Sequence, residues 1–193
     1  MGALQRAYEL NWADIEPSVF GTLFERIVNP AKRSQLGAHY TSRSDIEEIV
    51  EPTLIWPLER EWQIIQEEVA ALLDQSDKAA EPAISVQSEA NNKLLEFLNK
   101  LGSTTILDPA CGSGNFLYVS LAMLKELEQK VVSFGAIWGY FDLEPKVHPR
   151  QLYGIEIDPY AHQLASIVVW IGYLQWEFQN GISFANEIPI LNL

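Results

Sequence analysis

The chain has 193 residues, of which 48% are apolar and 11% aromatic, which excludes a disordered chain and suits one compact domain with a helical extension. Its net charge of −13 argues against broad contact with nucleic-acid phosphates by this chain alone, because such binding depends on clustered Lys and Arg. The single cysteine, Cys111, excludes an intrachain disulfide and a thiolate metal cluster, the three His are scattered, and the longest apolar run, residues 165–174, is too short to span a bilayer. We therefore expect a cytoplasmic protein without a metal site or a membrane segment.

The first part of the chain predicts helices. Apolar residues recur at helical spacing through residues 3–29, and a polar loop follows. A further helix is expected over residues 45–73, with Ser44 or a neighbouring hydroxyl as its N-cap. Pro52 and Pro57 predict a bend in that helix, since proline removes a backbone donor and crowds the preceding turn.

A short polar connection, residues 74–86, leads to an amphipathic helix for which Gly102 is the predicted stop. Residues 1–102 are thus interpreted as one helical region, and residues 103–193 as the first part of an α/β domain. The N-terminal helices are expected to cover the sheet of that domain.

From residue 104 onward, strands and helices alternate. A buried strand is predicted over residues 104–107, a helix over 115–132, a second strand over 151–157 and an apolar helix over 159–178. Residues 133–150 are irregular, and the C-terminal tail has strand character. The order strand–helix–strand–helix predicts parallel strands joined by right-handed crossovers. Two or three strands are fewer than a full doubly wound sheet needs, so we interpret the sequence as the N-terminal part of a longer domain.

The turn after the first predicted strand, Asp108-Pro-Ala-Cys-Gly-Ser-Gly-Asn, is the first candidate site. Gly112 and Gly114 permit positive φ and close approach of a ligand, and ligands of open α/β sheets lie at the carboxyl ends of strands. The alternative is a tight connection without a ligand. Cys111 is interpreted as a small, partly buried turn residue rather than a nucleophile, because no base accompanies it.

The second predicted strand ends in an acidic residue that could bind a ribose. Glu156 is the candidate acceptor for the two ribose hydroxyls, and the alternative is a solvated carboxylate at a strand end. Asp158 is interpreted as the cap of the following helix, with Pro159 in its first turn.

The spacing favours S-adenosylmethionine over a dinucleotide. The dinucleotide fingerprint needs a third small residue, where this chain has Leu117. Glu156 also follows Asp108 by ~48 residues, whereas an acidic residue roughly 20 residues on is typical of a dinucleotide site. A carboxylate at Asp108 disfavours a pyrophosphate and favours the sulfonium and ammonium groups of S-adenosylmethionine.

Three stretches together carry a family resemblance. DPACGSGNFL, followed by YGIEIDPYA and preceded by LGAHYTSRSDI at residues 36–46, resembles the glycine-rich, acidic and upstream motifs (I, II and X) of gamma-class N6-adenine DNA methyltransferases. The type I and fused type IIG enzymes of restriction–modification and phage-defence systems are the most similar group. Ser42 replaces a common proline, and His39 replaces a common aromatic residue. The resemblance implies an α/β fold, an incomplete Rossmann-like class I S-adenosylmethionine-dependent methyltransferase fold with an N-terminal helical extension.

The resemblance also implies which residues bind S-adenosylmethionine. Motif X is expected to line the methionine end, Asp108 to meet the ammonium group, and the backbone of the turn to face the methionine and the ribose. Phe116 is expected to pack beneath the cofactor or face the core, Glu156 to bind the ribose hydroxyls, and Ile157 to pack against the adenine ring. The complete expected set is Tyr40, Thr41, Asp108, Ala110, Gly112, Gly114, Phe116, Glu156 and Ile157.

The family's catalytic motif, Asn or Asp followed by Pro-Pro and an aromatic residue, has no match, since the sequence has no Pro-Pro dipeptide. The resemblance therefore assigns no catalytic residue here. It implies the cofactor-binding portion of a longer enzyme, inactive alone and contacting DNA through parts outside this chain. The alternatives are a non-catalytic regulatory or interaction module, or part of an RNA or protein methyltransferase.

Overall fold

A computed structural model of the chain describes residues 16–19, 41–77, 84–140 and 142–180. Most of the predicted N-terminal helix, the predicted C-terminal strand and Tyr40 lie outside these ranges. Within them, five α-helices and two strands follow in chain order. Their bounds are α1 Arg43–Val50, α2 Trp56–Asp77, α3 Ile84–Ser103, β1 Ile106–Asp108, α4 Asn115–Ile137, β2 Leu152–Gly154 and α5 Pro159–Gln179. None of these helices is long and apolar enough to cross a bilayer.

A hydroxyl begins α1, as expected, but it belongs to Ser42 rather than Ser44. Ser42 has extended backbone angles, and its Oγ accepts a hydrogen bond of 3.2 Å from the Asp45 amide. At the position of the predicted bend, the structure has a π-helical turn, Glu51–Ile55, between α1 and α2. Pro52 accounts for it, because its ring cannot donate the hydrogen bond of a regular helix.

The predicted helix stop at Gly102 lies one residue before the observed end of α3, but Gly102 is not among the glycines with positive φ, so it does not form a left-handed cap. The residue lies within the last turn of α3, which continues to Ser103. A Cβ at this position would lie 2.7 Å from the Cβ and 2.8 Å from the carbonyl oxygen of Lys146. The close approach of the segment around Lys146 therefore requires glycine at position 102. The glycine reflects this packing constraint, whereas the sequence was interpreted as a helix stop.

The end of α4 was predicted five residues too early. The helix ends at Ile137, and Gly139, two residues further on, has a φ of +86°. The amide of Tyr140 then returns to the carbonyl of Gly135 at 2.9 Å. This is the left-handed glycine cap that ends many helices, and it places the true stop signal inside the stretch interpreted as irregular.

The two strands form a short parallel sheet, as the strand–helix–strand order predicts. Ile106 pairs with Leu152 and Asp108 pairs with Gly154. The second strand covers three of the seven predicted residues, because Gln151 belongs to a 3₁₀ turn, Pro149–Gln151, and the chain leaves the strand conformation after Gly154.

Only one face of this sheet is covered within the described ranges. Helix α4 packs against both strands and against α5. On the other face, Leu107, Tyr153 and Ile155 are 60%, 39% and 58% exposed. Helices α1, α2 and α3, the N-terminal helices that the structure describes, do not cover that face, whereas the N-terminal helices were expected to. Instead, α1 and α3 pack against α4, and α2 packs against α3.

A buried carboxylate connects α4 to the segment that leads into β2. Glu128 is fully buried, and its Oε2 accepts a hydrogen bond of 3.0 Å from Lys125, which is 2% exposed. Its Oε1 accepts from the amides of Lys146 and Val147, the latter at 2.6 Å. Since both oxygens have partners, the buried charge of Glu128 is compensated. Its hydrogen bonds hold the segment before β2 against α4.

We expect Glu128→Ala to lower the free energy of unfolding by about 3–5 kcal/mol, because it leaves the Lys125 ammonium buried without its carboxylate. Urea denaturation measures the change. Glu144→Ala is the matched control, since Glu144 is an 80% exposed partner of Lys146 and its removal should have little effect. Equal losses in the two variants would contradict this account.

A second prediction concerns His148, whose Nδ1 accepts a hydrogen bond of 3.1 Å from the Arg150 amide. Burial, followed by the charges of Arg150 and Lys125, lowers the pKa of His148 to about 4. The unfolded chain therefore binds this proton more readily, and stability should fall as pH decreases from about 6.5 to about 4. Denaturation of His148→Gln across this range should lack that part of the pH dependence, and an identical slope in both proteins would refute the assignment.

Candidate functional site

Hydrogen bonds between residues that are close in sequence hold the turn after β1. The Oδ1 atom of Asp108 accepts from the Ala110 amide at 3.0 Å. The amide of Gly114 donates to the Cys111 carbonyl at 2.8 Å, and the Gly114 carbonyl accepts from Tyr118 in the first turn of α4 at 2.9 Å. The chain thus reverses from strand to helix within a few residues, and Asp108 lies at the carboxyl end of β1.

The two glycines of the turn have positive φ for different reasons. Gly112 has a φ of +53°, and a Cβ there would have no atom within 4 Å. Gly114 has a φ of +84°, and a Cβ there would lie 2.9 Å from the Cα of Ala165 in α5. Gly112 therefore leaves open space beside the turn, whereas Gly114 allows α4 and α5 to approach closely.

Three hydrogen bonds attach this turn to the chain beyond β2. The Ile155 amide donates to the Asp108 carbonyl at 2.9 Å, and the Cys111 amide donates to the Ile155 carbonyl at 3.0 Å. The Gly112 amide donates to Oε2 of Glu156 at 2.9 Å. The turn after β1 and the segment after β2, which contain the candidate residues, are therefore joined directly by hydrogen bonds.

Glu156 receives a second backbone donor from its own segment. Its Oε1 accepts from the Asp158 amide at 2.8 Å, and the residue is half-buried. Asp158 caps α5 as the sequence indicates, with its Oδ1 accepting from the amides of Tyr160 and Ala161 at 2.9 Å each. Because a carboxylate accepts about four hydrogen bonds, Glu156 retains capacity for further donors.

The electrostatics of the turn are negative. Cys111 is 6% exposed, and burial raises the pKa of its thiol to about 11, with the charges of Asp108 and Glu156 adding to the effect. The thiol is thus protonated at neutral pH, which argues against a nucleophilic role. The same two carboxylates favour a positively charged group beside the turn.

The remaining expected residues differ in their surroundings. Ile157 is 88% exposed next to Glu156, and Ala110 is also exposed. Phe116 is partly buried and packs against the hydrophobic core, which was one of its two expected positions. Thr41 is half-buried and directly precedes the Ser42 cap.

A cleft of about 410 Å³ lies elsewhere, between α1, α4 and α5. None of the expected residues that the structure describes lines it. Its two cations have carboxylate partners, since Arg43 contacts Glu47 at 2.7 Å and Lys125 contacts Glu128 at 3.0 Å. Because the cleft lacks the expected residues and its cations are already paired with carboxylates, we assign the candidate site to the turn and not to this cleft.

Sequence reasoning missed the contact between Gly112 and Glu156. It treated the two residues as separate ligands of the cofactor, with Gly112 facing the methionine and ribose and Glu156 binding the ribose hydroxyls. The motifs show that each residue lies after a strand, but the strand register and the Glu156 rotamer decide that a hydrogen bond joins them. The sequence holds no separate signal for that bond.

A profile of the MmeI DNA-methyltransferase domain family matches residues 84–193, more than half of the chain. The chain belongs to this family. The MmeI-family match includes α3, both strands, the turn and Glu156, so the candidate site lies entirely within the matched region except for Thr41 and Tyr40.

The relatives agree with the family assignment. The MmeI-family chain is 31% identical over 180 residues to DNA methyltransferase A of Bacillus subtilis (strain 168), covering 93% of this chain and 18% of that protein. It is also similar to the structure of the type IIL restriction–modification enzyme MmeI in complex with DNA, with a TM-score of 0.71 and 31% identity. That likeness covers 92% of this chain and 22% of MmeI, so the chain spans about a fifth of the length of these relatives.

The two glycines predict different costs of substitution. We expect Gly112→Ala to destabilise the chain by about 1–2 kcal/mol, the cost of a left-handed conformation at a residue with a Cβ. Gly114→Ala should cost more, because the Cβ also overlaps Ala165. Equilibrium denaturation of both variants checks the order, and a larger loss for Gly112→Ala would contradict the assigned roles.

Proposed function

We propose that this chain forms the S-adenosylmethionine-binding portion of a site-specific DNA adenine-N6 methyltransferase of a restriction–modification or phage-defence system. The observation that carries the proposal is the joined acidic turn. Asp108 and Glu156 stand at the carboxyl ends of adjacent parallel strands, and the backbone of Gly112 lies open beside them. Small ligands of open α/β sheets bind at such a position.

The chemistry of the turn fits this cofactor. S-adenosylmethionine carries a sulfonium and an ammonium group, and the two carboxylates that raise the pKa of the Cys111 thiol would stabilise both cations. Asp108 retains an oxygen that is not engaged by Ala110 and is assigned to the ammonium group. We assign the backbone of Ala110, Gly112 and Gly114 to the methionine and ribose.

The adenosine end is assigned to the segment after β2. Glu156 has acceptor capacity left for both ribose hydroxyls, and the exposed Ile157 side chain next to it offers an apolar surface for the adenine ring. Phe116 would support the site from beneath, within the core. Thr41 and Tyr40 remain assigned to the methionine end through their motif alone.

When bound, the cofactor supplies a methyl group on a positively charged sulfur. The residues of this chain bind and orient it, and none is assigned to activation of the target amine. Residues 1–102 are proposed to be a helical region carrying motif X, and residues 103–193 the first part of the cofactor domain. Since DNA phosphates need clustered cations, a chain of net charge −13 would meet DNA through other parts of the parent enzyme.

The uncovered sheet face supports the interpretation as a portion of a larger domain. Parallel sheets are normally covered by helices on both faces, whereas Leu107, Tyr153 and Ile155 are exposed here. We propose that further segments of the parent enzyme pack on this face and contribute the catalytic motif. The chain alone should therefore bind the cofactor weakly and transfer no methyl group.

Photo-crosslinking with methyl-labelled S-adenosylmethionine and a DNA methylation assay test the proposal, using this chain and the complete parent enzyme. We expect DNA-adenine methylation by the parent enzyme and none by the chain. Asp108→Ala in the parent should reduce crosslinking at least about tenfold, because it removes a charge-assisted contact. Asp142→Ala, which changes an exposed carboxylate away from the turn, is the matched control.

Three outcomes would count against parts of the proposal. Methyl transfer to adenine by the chain alone would refute the assignment of the catalytic motif to another part of the enzyme. Methylation of RNA or protein instead of DNA by the parent would refute the substrate. Absence of crosslinking in both proteins would refute the cofactor.

A further inference from the structure

We propose that Glu156 is a positioning residue for the glycine turn as well as a ligand for the ribose. We call the Glu156 carboxylate, with its hydrogen bonds to the amides of Gly112 and Asp158, the Glu156 latch. The part of this inference that concerns the ribose rests on the proposed function, whereas the part that concerns the turn does not.

The latch is the side-chain component of the contact between the turn and the segment after β2. The backbone bonds of Ile155 hold Asp108 and Cys111, but the amide of Gly112 is held by the Glu156 carboxylate at 2.9 Å. Gly112 has a positive φ and open space where a Cβ would be, so packing of a side chain does not fix its peptide plane. The Cys111–Gly112 peptide is therefore held at both of its polar atoms: the Cys111 carbonyl accepts from the Gly114 amide at 2.8 Å, and the Gly112 amide donates to a carboxylate 44 residues further along the chain.

The latch also orients the carboxylate itself. Each oxygen of Glu156 accepts one backbone amide, with Gly112 on Oε2 and Asp158 on Oε1 at 2.8 Å. Two of about four acceptor positions are used, and the other two remain for donors such as ribose hydroxyls. A carboxylate fixed in this way is preorganised, because binding does not have to restrict its rotation.

A thermodynamic consequence follows for the two ends of the site. If a fixed carboxylate binds the ribose more tightly, ribose binding must stabilise the latched turn by the same factor. The turn, which is assigned to the methionine and ribose, would then become more ordered when the ribose hydroxyls are bound. Glu156 thus couples ribose binding to the order of the turn that also faces the methionine.

Hydrogen exchange of the Gly112 amide, followed by NMR on the ¹⁵N-labelled 193-residue chain, tests the latch without any ligand. Glu156→Gln keeps one acceptor oxygen and replaces the other by an NH₂ group, which cannot accept a hydrogen bond from the second backbone amide. We expect Gly112 exchange to become at least about tenfold faster, since hydrogen bonds to charged acceptors are among the stronger ones. Glu156→Asp keeps the charge but shortens the reach, and it should accelerate the same amide if Glu156→Gln does not fold.

Two control variants separate the latch from charge and from general destabilisation. Asp108→Asn removes a neighbouring negative charge but keeps an oxygen to accept the Ala110 amide, so Gly112 exchange should stay near the wild-type rate. Glu144→Gln changes an exposed carboxylate and should have no effect. The amide of Leu124, in the middle of α4, reports global unfolding and should be unchanged in all variants.

Unchanged Gly112 exchange in both Glu156 variants would overturn the latch, as would equal acceleration of Gly112 and Leu124. A second arm adds S-adenosylhomocysteine or its 2′,3′-dideoxy analogue to the wild-type chain and to the parent enzyme. We expect S-adenosylhomocysteine to slow Gly112 exchange more than the analogue does. If neither ligand binds the parent, the cofactor proposal fails, while the result with the Glu156 variants still decides the positioning role.

Discussion

The hydrogen bonds that continue past the ends of the two strands determine the geometry of this protein. A parallel pair of three residues each provides few bonds within the ladder. The bonds from Ile155 to the Asp108 carbonyl and from Cys111 to the Ile155 carbonyl extend the pairing into the turn, where a regular strand has ended. The site is thus built from the same interactions that hold the strands in register, and its position cannot change independently of the sheet.

The opposite ends of the strands are held by polar side chains inside the core. Gln151 donates to the carbonyls of Leu101 and Thr104 at 2.9 and 2.7 Å, which joins the end of α3 to the start of β2. Glu128 holds the preceding segment on α4. Buried polar groups are costly without partners, so these side chains favour one arrangement of the segment that joins α4 to β2. That arrangement determines the position of Glu156, which follows β2.

The features that could be predicted from sequence are those set by a residue and its near neighbours. The Asp158-Pro159 cap, the positive φ of Gly112 and Gly114 and the parallel strand order all belong to this group. The errors concern residues whose role is decided by distant segments. Gly102 was interpreted as a stop although the approach of Lys146 explains it, and the exposed sheet face could not be foreseen because coverage depends on where the helices pack. The Gly112–Glu156 bond belongs to the same group, whereas the ligand assignments remain predictions.

The uncovered sheet face has a consequence for how the chain folds during synthesis. Proteins fold largely from the N-terminus as they are made, at about 5–20 residues per second. The helices and the strand pair can form early, but Leu107, Tyr153 and Ile155 then present an apolar surface on a sheet that has two strands in the described part of the chain. Transiently exposed apolar surface makes a partly folded chain prone to aggregation. If further segments of the parent enzyme cover this face, as proposed, the interval before they are synthesised is the period in which the surface is most exposed to misassembly.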